Sequence, residues 1–542
     1  MSKNVGSLFA LFAFLSFTAC KTQHVPKPES QPVAVTTSRT NAPSNPAPIG
    51  IFPIPTKPTS TLRVPHIFSD NMVLQQDMNV PVWGWAKDNE SVTVTFGANK
   101  VSTTARTGKW TVKLHSLKQG DADTLTVTAG AESIQFTNVL VGEVWLCSGQ
   151  SNMEWPLSKS FEPQEDIASA TNQLMRLFVV PNVKSDVPRD DVEGHWEICS
   201  SNAAARFSAV GYYFGKDLHK ARKTPVGLIQ SDWGGTPVES WTSHESLARI
   251  PAGKDVFEAY TEQEQNYSQA KAAYEKQLVE EERLSDKNKK KPTAPYAPHK
   301  PSELFNGMIA PIVPYGIKGA IWYQGENNAE RAAQYRVLFP NMIRDWRQVW
   351  NQGDFTFCCV QLAPFKPIKP TAGDSDWAEL REAQLLTTKF LPKVGMAVIT
   401  DVGEERNIHP AKKAPVGGRL ALAARALAYG DKIVYSGPVY KSVRFQDDKA
   451  FLKFDHVGKG LTTHGGALKS FAICDSNKKW VWAIADIEGT DTVVVSSPNV
   501  ENPIAVRFGW ADYPVVNLWN REGLPASPFR TDNFPMITEG KK

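Results

Sequence analysis

Five short runs of almost unbroken apolar residues recur along the middle of this chain. They limit the folds open to it more than any other feature. The runs are 144–147, 226–230, 319–323, 355–362 and 394–400. A strand with one wet face alternates apolar and polar residues, whereas a strand covered on both faces reads as a continuous apolar run. Helical stretches lie between or after the runs, at 207–221, 329–350, 377–390 and 415–429. In the first of these, Phe207, Val210, Phe214 and Leu218 recur at helical spacing. Buried strands joined by helical crossovers predict a mostly parallel sheet in a three-layer α/β/α domain, with bounds at 142–430.

The flanks differ in pattern. Residues 62–141 hold short alternating stretches, such as Ser91-Val-Thr-Val-Thr-Phe96, separated by turn residues; a sandwich-like all-β domain fits. Residues 431–542 turn β-like again, ending in a stretch rich in Trp, Pro and Asn. One excursion interrupts the α/β pattern at about 243–301. It contains a charged helical stretch, 260–284, and a lysine-rich run, 286–292, read as a solvated face rather than a binding patch.

The first sixty residues are not fold. Lys3 precedes an apolar run, 8–17, too short to span a bilayer, as in an export signal. It ends Phe17-Thr18-Ala19-Cys20, which resembles the lipobox of bacterial lipoproteins and predicts lipidation of Cys20; plain signal cleavage is the alternative. Residues 21–60 contain nine prolines and one acidic residue, a composition that cannot bury a core and predicts a tether, 21–61. The expectation is an exported protein held at the outer membrane or in the periplasm through its lipid alone, or released as a soluble one.

Net charge is +4 with both signs mixed, so no basic stripe argues for nucleic acid. Beyond Cys20 the cysteines are 147, 199, 358, 359 and 474. The first and the adjacent pair lie inside apolar runs, so buried thiols are expected rather than a disulfide framework. There is no CxxC pair and no HExxH helix, so neither a metal nor another cofactor is called for. The sixteen tryptophans are first of all core, although flat aromatic faces also suit sugar rings.

Polar groups gather where the runs stop. The first leads through Ser148-Gly149-Gln150 to Ser151 and Asn152; the second into Asp232-Trp-Gly-Gly-Thr236; the third into Gln324-Gly-Glu-Asn-Asn328; the fifth into Asp401-Val-Gly-Glu-Glu-Arg-Asn-Ile-His409. At the carboxyl edge of a parallel sheet such segments converge, and there open α/β sheets bind ligands. A hydroxyl is a poor nucleophile without a base, so Ser151 and His409 together suggest acyl transfer. Oxyanion donors would be the backbone N–H of Ser151, one at Gly234 or Gly235, and the Gln324 amide. Each segment alone is an ordinary loop or capped turn; the four together are not.

Cys147-Ser-Gly-Gln-Ser-Asn-Met-Glu-Trp155, Trp233-Gly-Gly-Thr-Pro-Val-Glu-Ser-Trp241, Trp322-Tyr-Gln-Gly-Glu326 and Ile408-His-Pro410 followed by Arg419-Leu-Ala421 resemble the sialate O-acetylesterase family. That family lies within the SGNH (GDSL-like) hydrolase superfamily. The likeness runs from about residue 62 to the carboxyl terminus. It implies a flavodoxin-like hydrolase core, serine esterase chemistry and acetyl groups on sugars as targets. By resemblance Ser151 is the nucleophile, His409 its base and Gly235 an oxyanion glycine. Gln324 stands where much of the superfamily carries asparagine. Asn152, Trp155 and Glu326 fall in the motifs as substrate-binding residues. One position departs: the aspartate usual two or three residues before the histidine is replaced by Asn407 and Arg406. Asp401, Glu404, Glu405 or a backbone carbonyl is left to orient the imidazole. Sialic acid is the first expected substrate, with Arg381 or Arg406 to meet its carboxylate. Acetylated xylan, xyloglucan or pectin is the alternative, and a non-catalytic glycan-binding lipoprotein the reading from outside enzymes.

Overall fold

A computed structural model describes residues 61–283 and 292–542. The leader, Cys20, the tether up to residue 60 and most of the 286–292 lysine run lie outside the described residues. The organising element is one strand of eighteen residues, β1 (Glu132–Gly149). Its first half pairs antiparallel with Asp123–Ala129 in the N-terminal sheet, and its second half enters the central sheet. The change from alternating to continuous apolar residues near 140 is therefore a change of surroundings along one strand. Up to Asn138 its side chains are alternately exposed and half-buried; from Val139 all are buried.

The central sheet continues with β2 (Asn172–Val179), β3 (Trp196–Cys199), β4 (Val226–Asp232), β5 (Gly319–Tyr323), β6 (Thr356–Val360) and β7 (Val394–Ala397). The order across it is β7-β6-β5-β1-β4-β2-β3. Every pairing is parallel except β2 with β3. The five strands expected from the sequence thus lie in the order 2-1-3-4-5, which reverses direction between the first and third. β2 and β3 were not foreseen; they form the edge, and their mixed burial hides them from a search for continuous apolar runs.

Helices connect the strands: α1 (Ser151–Glu154), α2 (Ala209–Arg222), α3 (Pro251–Arg283), α4 (Ala332–Trp350), α5 (Asp376–Phe390) and α6 (Ala414–Tyr429). Alternate strand residues feed separate cores. Leu146, Trp322 and Phe357 join Phe339 and Trp346 of α4 and Leu380 of α5. Trp145, Cys147, Ile321 and Cys358 join Phe214 of α2 and Leu420 of α6. The first of these cores continues into the N-terminal sheet through Val92, Val94 and Trp110. The C-terminal strands enclose a third core around Leu452, Phe471, Val495 and Phe508. The five cysteines in the described residues are buried free thiols, and none of the described helices is long and apolar enough to cross a membrane.

Candidate active site

The turn after β1 is built around Gly149. Its φ is +144°, and a Cβ there would lie 2.2 Å from the Tyr323 carbonyl of neighbouring β5. Only glycine allows the two strands to approach this closely in that conformation. The Gln150 N–H donates to the same carbonyl at 3.0 Å, which stops the strand and starts α1 at Ser151. Ser151 therefore stands above the junction of β1 and β5, where the strand order reverses.

His409 reaches the same point from the loop between β7 and α6. Its Nε2 is 2.8 Å from the Ser151 hydroxyl oxygen, within range for proton transfer. The imidazole is half-buried and stacks on Trp155, with ring centroids 5.3 Å apart and planes at 22°. Burial, and after it the charge of Lys413, lowers the His409 pKa, so the neutral form that can accept a proton is favoured.

The chain around His409 is clamped. Its N–H donates to Asn407 Oδ1 at 3.0 Å, and Asn407 Nδ2 donates back to the His409 carbonyl at 2.9 Å and to Glu404 Oε2 at 3.1 Å. Asn152, fully buried, donates from Nδ2 to the Ile408 carbonyl at 3.0 Å and to Glu326 Oε1 at 2.6 Å. Its Oδ1 accepts from Lys413 Nζ. The residue after Ser151 is thereby tied to the residue before His409.

Several expected roles change on this geometry. Asp401 is not brought to the imidazole: its two oxygens accept from Arg419 Nη1 and Nη2 at 2.6 and 2.8 Å. Glu404 also accepts from the Ala411 N–H at 3.1 Å, and Glu405 from the Ile368 N–H at 3.0 Å. Among the described residues no carboxylate or backbone carbonyl bonds the other ring nitrogen of His409. Gln324 does not turn its amide to the site; fully buried, it donates to the Thr236 carbonyl and Asn328 Oδ1 and accepts from the Tyr335 hydroxyl. Gly234 N–H donates to Glu154 Oε2 at 2.7 Å. That leaves the N–H groups of Ser151 and Gly235 as possible oxyanion donors. Asn152 and Trp155 contact the Ile408–His409 segment, and Glu326 accepts from Asn152 through Oε1. Arg381, fully buried, donates to the carbonyls of Leu362, Ala363, Ala511 and Asp512, whereas Arg406 is exposed.

Lys413 is the residue that the sequence did not single out. It is buried, and its ammonium sits 5.3 Å from the Tyr323 ring centroid and 5.8 Å from that of Trp155. Burial draws its pKa down to about 7, against the opposing pull of Glu326 and Glu404, and burial pushes Glu326 up. Nothing in Pro410-Ala-Lys-Lys413 marks one lysine for the interior. Only the tertiary contact of this loop with Asn152 does.

Residues 296–426, which hold Gln324 and His409, match the family described as "Carbohydrate esterase, sialic acid-specific acetylesterase". Sialate O-acetylesterases of Homo sapiens and Mus musculus are 27% and 29% identical over 514 and 520 residues, covering 86% and 85% of this chain and 92% and 93% of theirs. The crystal structure of a carbohydrate acetylesterase from Xanthomonas citri is 38% identical, with a TM-score of 0.75, and is matched over 87% of this chain and 100% of its own.

Proposed function

Because this chain belongs to the sialate O-acetylesterase family and is a carbohydrate esterase, we propose that it removes O-acetyl groups from glycans through a Ser151–His409 dyad, with O-acetylated sialic acid as its first substrate. The observation that carries the mechanism is the 2.8 Å contact between His409 Nε2 and the Ser151 hydroxyl at the point where the strand order reverses. Two residues 258 positions apart meet there with the spacing of a base and its nucleophile.

In this reading His409 takes the hydroxyl proton as the Ser151 oxygen attacks the acetyl carbonyl. The oxyanion collects hydrogen bonds from the N–H groups of Ser151 and Gly235; a single such donor is typically worth about 3 kcal/mol. Collapse breaks the bond to the sugar oxygen, which leaves with the proton from His409, and acetate remains esterified to Ser151. His409 then deprotonates water, water attacks the acyl carbonyl, and Ser151 recovers its proton as acetate departs. The imidazole is oriented by the Trp155 face and the Asn407 clamp in place of a carboxylate.

The three-layer SGNH-type core is part of this proposal, supported by the separate cores fed by alternate strand residues. So are the domain bounds, the export signal, the lipid on Cys20 and a place at the outer membrane or in the periplasm, supported by the leader's sequence. The substrate is taken from the activity for which the relatives are named. Acetylated xylan, xyloglucan or pectin is the second reading, favoured by one observation: Arg381, one of the two arginines expected to meet a sialic acid carboxylate, is held by four carbonyls in the interior. Release of acetate from O-acetylated sialosides, acetylated xylan, xyloglucan and pectin, each with wild type and Ser151→Ala, decides both points. Activity highest on sialosides and reduced by several orders of magnitude in Ser151→Ala is expected. Preference for a polysaccharide overturns the substrate, and undiminished activity in Ser151→Ala overturns the nucleophile.

A further inference from the structure

We infer that the inserted helix α3 walls a binding site for an uncharged pyranose ring on the alcohol side of the ester, next to the oxyanion glycine. The inference rests on Ser151 being the nucleophile. The start of α3 is anchored: Gly253 and Val256 are buried, and Ala252 and Phe257 pack against the core beside them. Past Glu264 every described residue of the helix is exposed or half-buried. A helix packed on the core at its start, with its following turn lining a hollow, is placed to shape a ligand site.

The hollow is a cavity of about 290 Å³, lined by Val256, Ala259, Tyr260 and Gln263 of α3 and by residues of the 296–301 segment, with Asn327 and Arg331 opposite. Its size is close to the lower end of small-molecule sites, roughly 300 Å³, which suits one ring. It adjoins the glycine pair that follows β4. Asn327 Nδ2 donates to the Gly235 carbonyl at 2.8 Å. The Tyr296 hydroxyl would be 3.8 Å from a Cβ on Gly235, and a Cβ on Gly234 would be 3.2 Å from that of Ser151. A sugar whose acetyl carbonyl lies between Ser151 and Gly235 has its ring directed toward this space.

The charges around the cavity are already paired. Arg331 Nη2 donates to Glu239 Oε1 at 2.7 Å, His299 Nδ1 is 2.9 Å from Glu303 Oε1, and the Tyr260 hydroxyl donates to Glu264. The Glu239 side chain is only 6% exposed. A ligand carboxylate drawing Arg331 away would leave that buried carboxylate without its cation, which is costly. Hydroxyls, by contrast, find the Gln263 and Asn327 amides, the tyrosine hydroxyls and apolar ring faces. The occupant is therefore a neutral sugar residue, the one next to the acetylated ring in the glycan.

The test pairs binding with kinetics. Deacetylated xylo-oligosaccharide is titrated calorimetrically into wild type, Tyr260→Ala, Gln263→Ala and the cavity-filling Ala259→Trp. The ratio of kcat/KM on acetylated xylo-oligosaccharide to that on 4-nitrophenyl acetate is measured for each. Binding weakened at least tenfold in Tyr260→Ala and Ala259→Trp, with the kinetic ratio falling tenfold through KM, is expected. Binding and ratio both unchanged in these variants overturn the subsite. Tighter binding of free sialic acid than of the neutral oligosaccharide, lost in Arg331→Gln, overturns its preference for an uncharged ring. Turnover of 4-nitrophenyl acetate undiminished in Ser151→Ala would instead strike at the nucleophile, and the calorimetric arm would still judge the cavity.

Discussion

In the proposed mechanism His409 has to be neutral to accept the Ser151 proton, and burial and one neighbour bear on that. Burial lowers its pKa first, and the Lys413 ammonium lowers it further. With the folded pKa below the usual histidine value, kcat/KM should fall on the acid side only below about pH 6.5, the unperturbed histidine value. Lys413→Met removes the second cause, so the acid limb of the profile should move to higher pH; an unmoved limb would show that Lys413 acts on packing alone. Asp401 gives a sharper contrast. An acid that orients a catalytic histidine costs about 10⁴-fold in rate when neutralised. Asp401 is paired with Arg419 instead, so Asp401→Asn should lower kcat less than about tenfold. A fall of several orders of magnitude would return Asp401 to the imidazole.

That Ser151 and His409 come together was legible because both lie beyond the carboxyl ends of strands that their own residues announce. The residues around them were not. Asn152, Trp155 and Glu326 carry groups that a ligand would suit, and sequence cannot tell that Asn152 faces inward to the Ile408 carbonyl. Gln324 was misread for the same reason: an amide at a strand end looks available until Thr236, Asn328 and Tyr335 are seen around it.

At the level of elements, the meeting of β1 and β5 sets the site. Gly149 holds a positive φ and leaves no room beside the Tyr323 carbonyl, since a Cβ would sit 2.2 Å away. Gly149→Ala must then part the strands or change the turn. Thermal unfolding should show a clearly lower midpoint, and turnover of an aryl acetate should fall at least tenfold. A variant with wild-type values in both would mean that the turn does not position Ser151. The five buried strands could be read because sheets covered on both faces need apolar residues at every position. β2 and β3 could not, since an edge strand with one partly wet face loses that signature. The long strand β1 was legible only in halves, because its two surroundings impose two patterns on one element.

In the whole molecule, the C-terminal segment returns to the α/β core after the last strands. The Thr538 hydroxyl and N–H and the Ile537 N–H all donate to Glu379 of α5, a carboxylate only 2% exposed. Thr538→Val keeps the shape and withdraws one donor from a buried charge, a loss of about 1–3 kcal/mol. The unfolding midpoint should drop by a few degrees with kcat unchanged; an equal drop in kcat would mean that the tail also supports the site. Contacts of this kind, 159 residues apart, leave no mark in either local sequence. For that reason the β character of the flanking regions was readable and their attachment to the core was not.

The central claim is that Ser151 is a nucleophile activated by His409. The most direct measurement is labelling with a fluorophosphonate probe, followed by peptide mass spectrometry to locate the adduct in wild type, Ser151→Ala and His409→Ala. The account predicts stoichiometric label on Ser151, none in Ser151→Ala, and labelling slowed by orders of magnitude in His409→Ala. Label on another residue, or equal rates in wild type and His409→Ala, would contradict it.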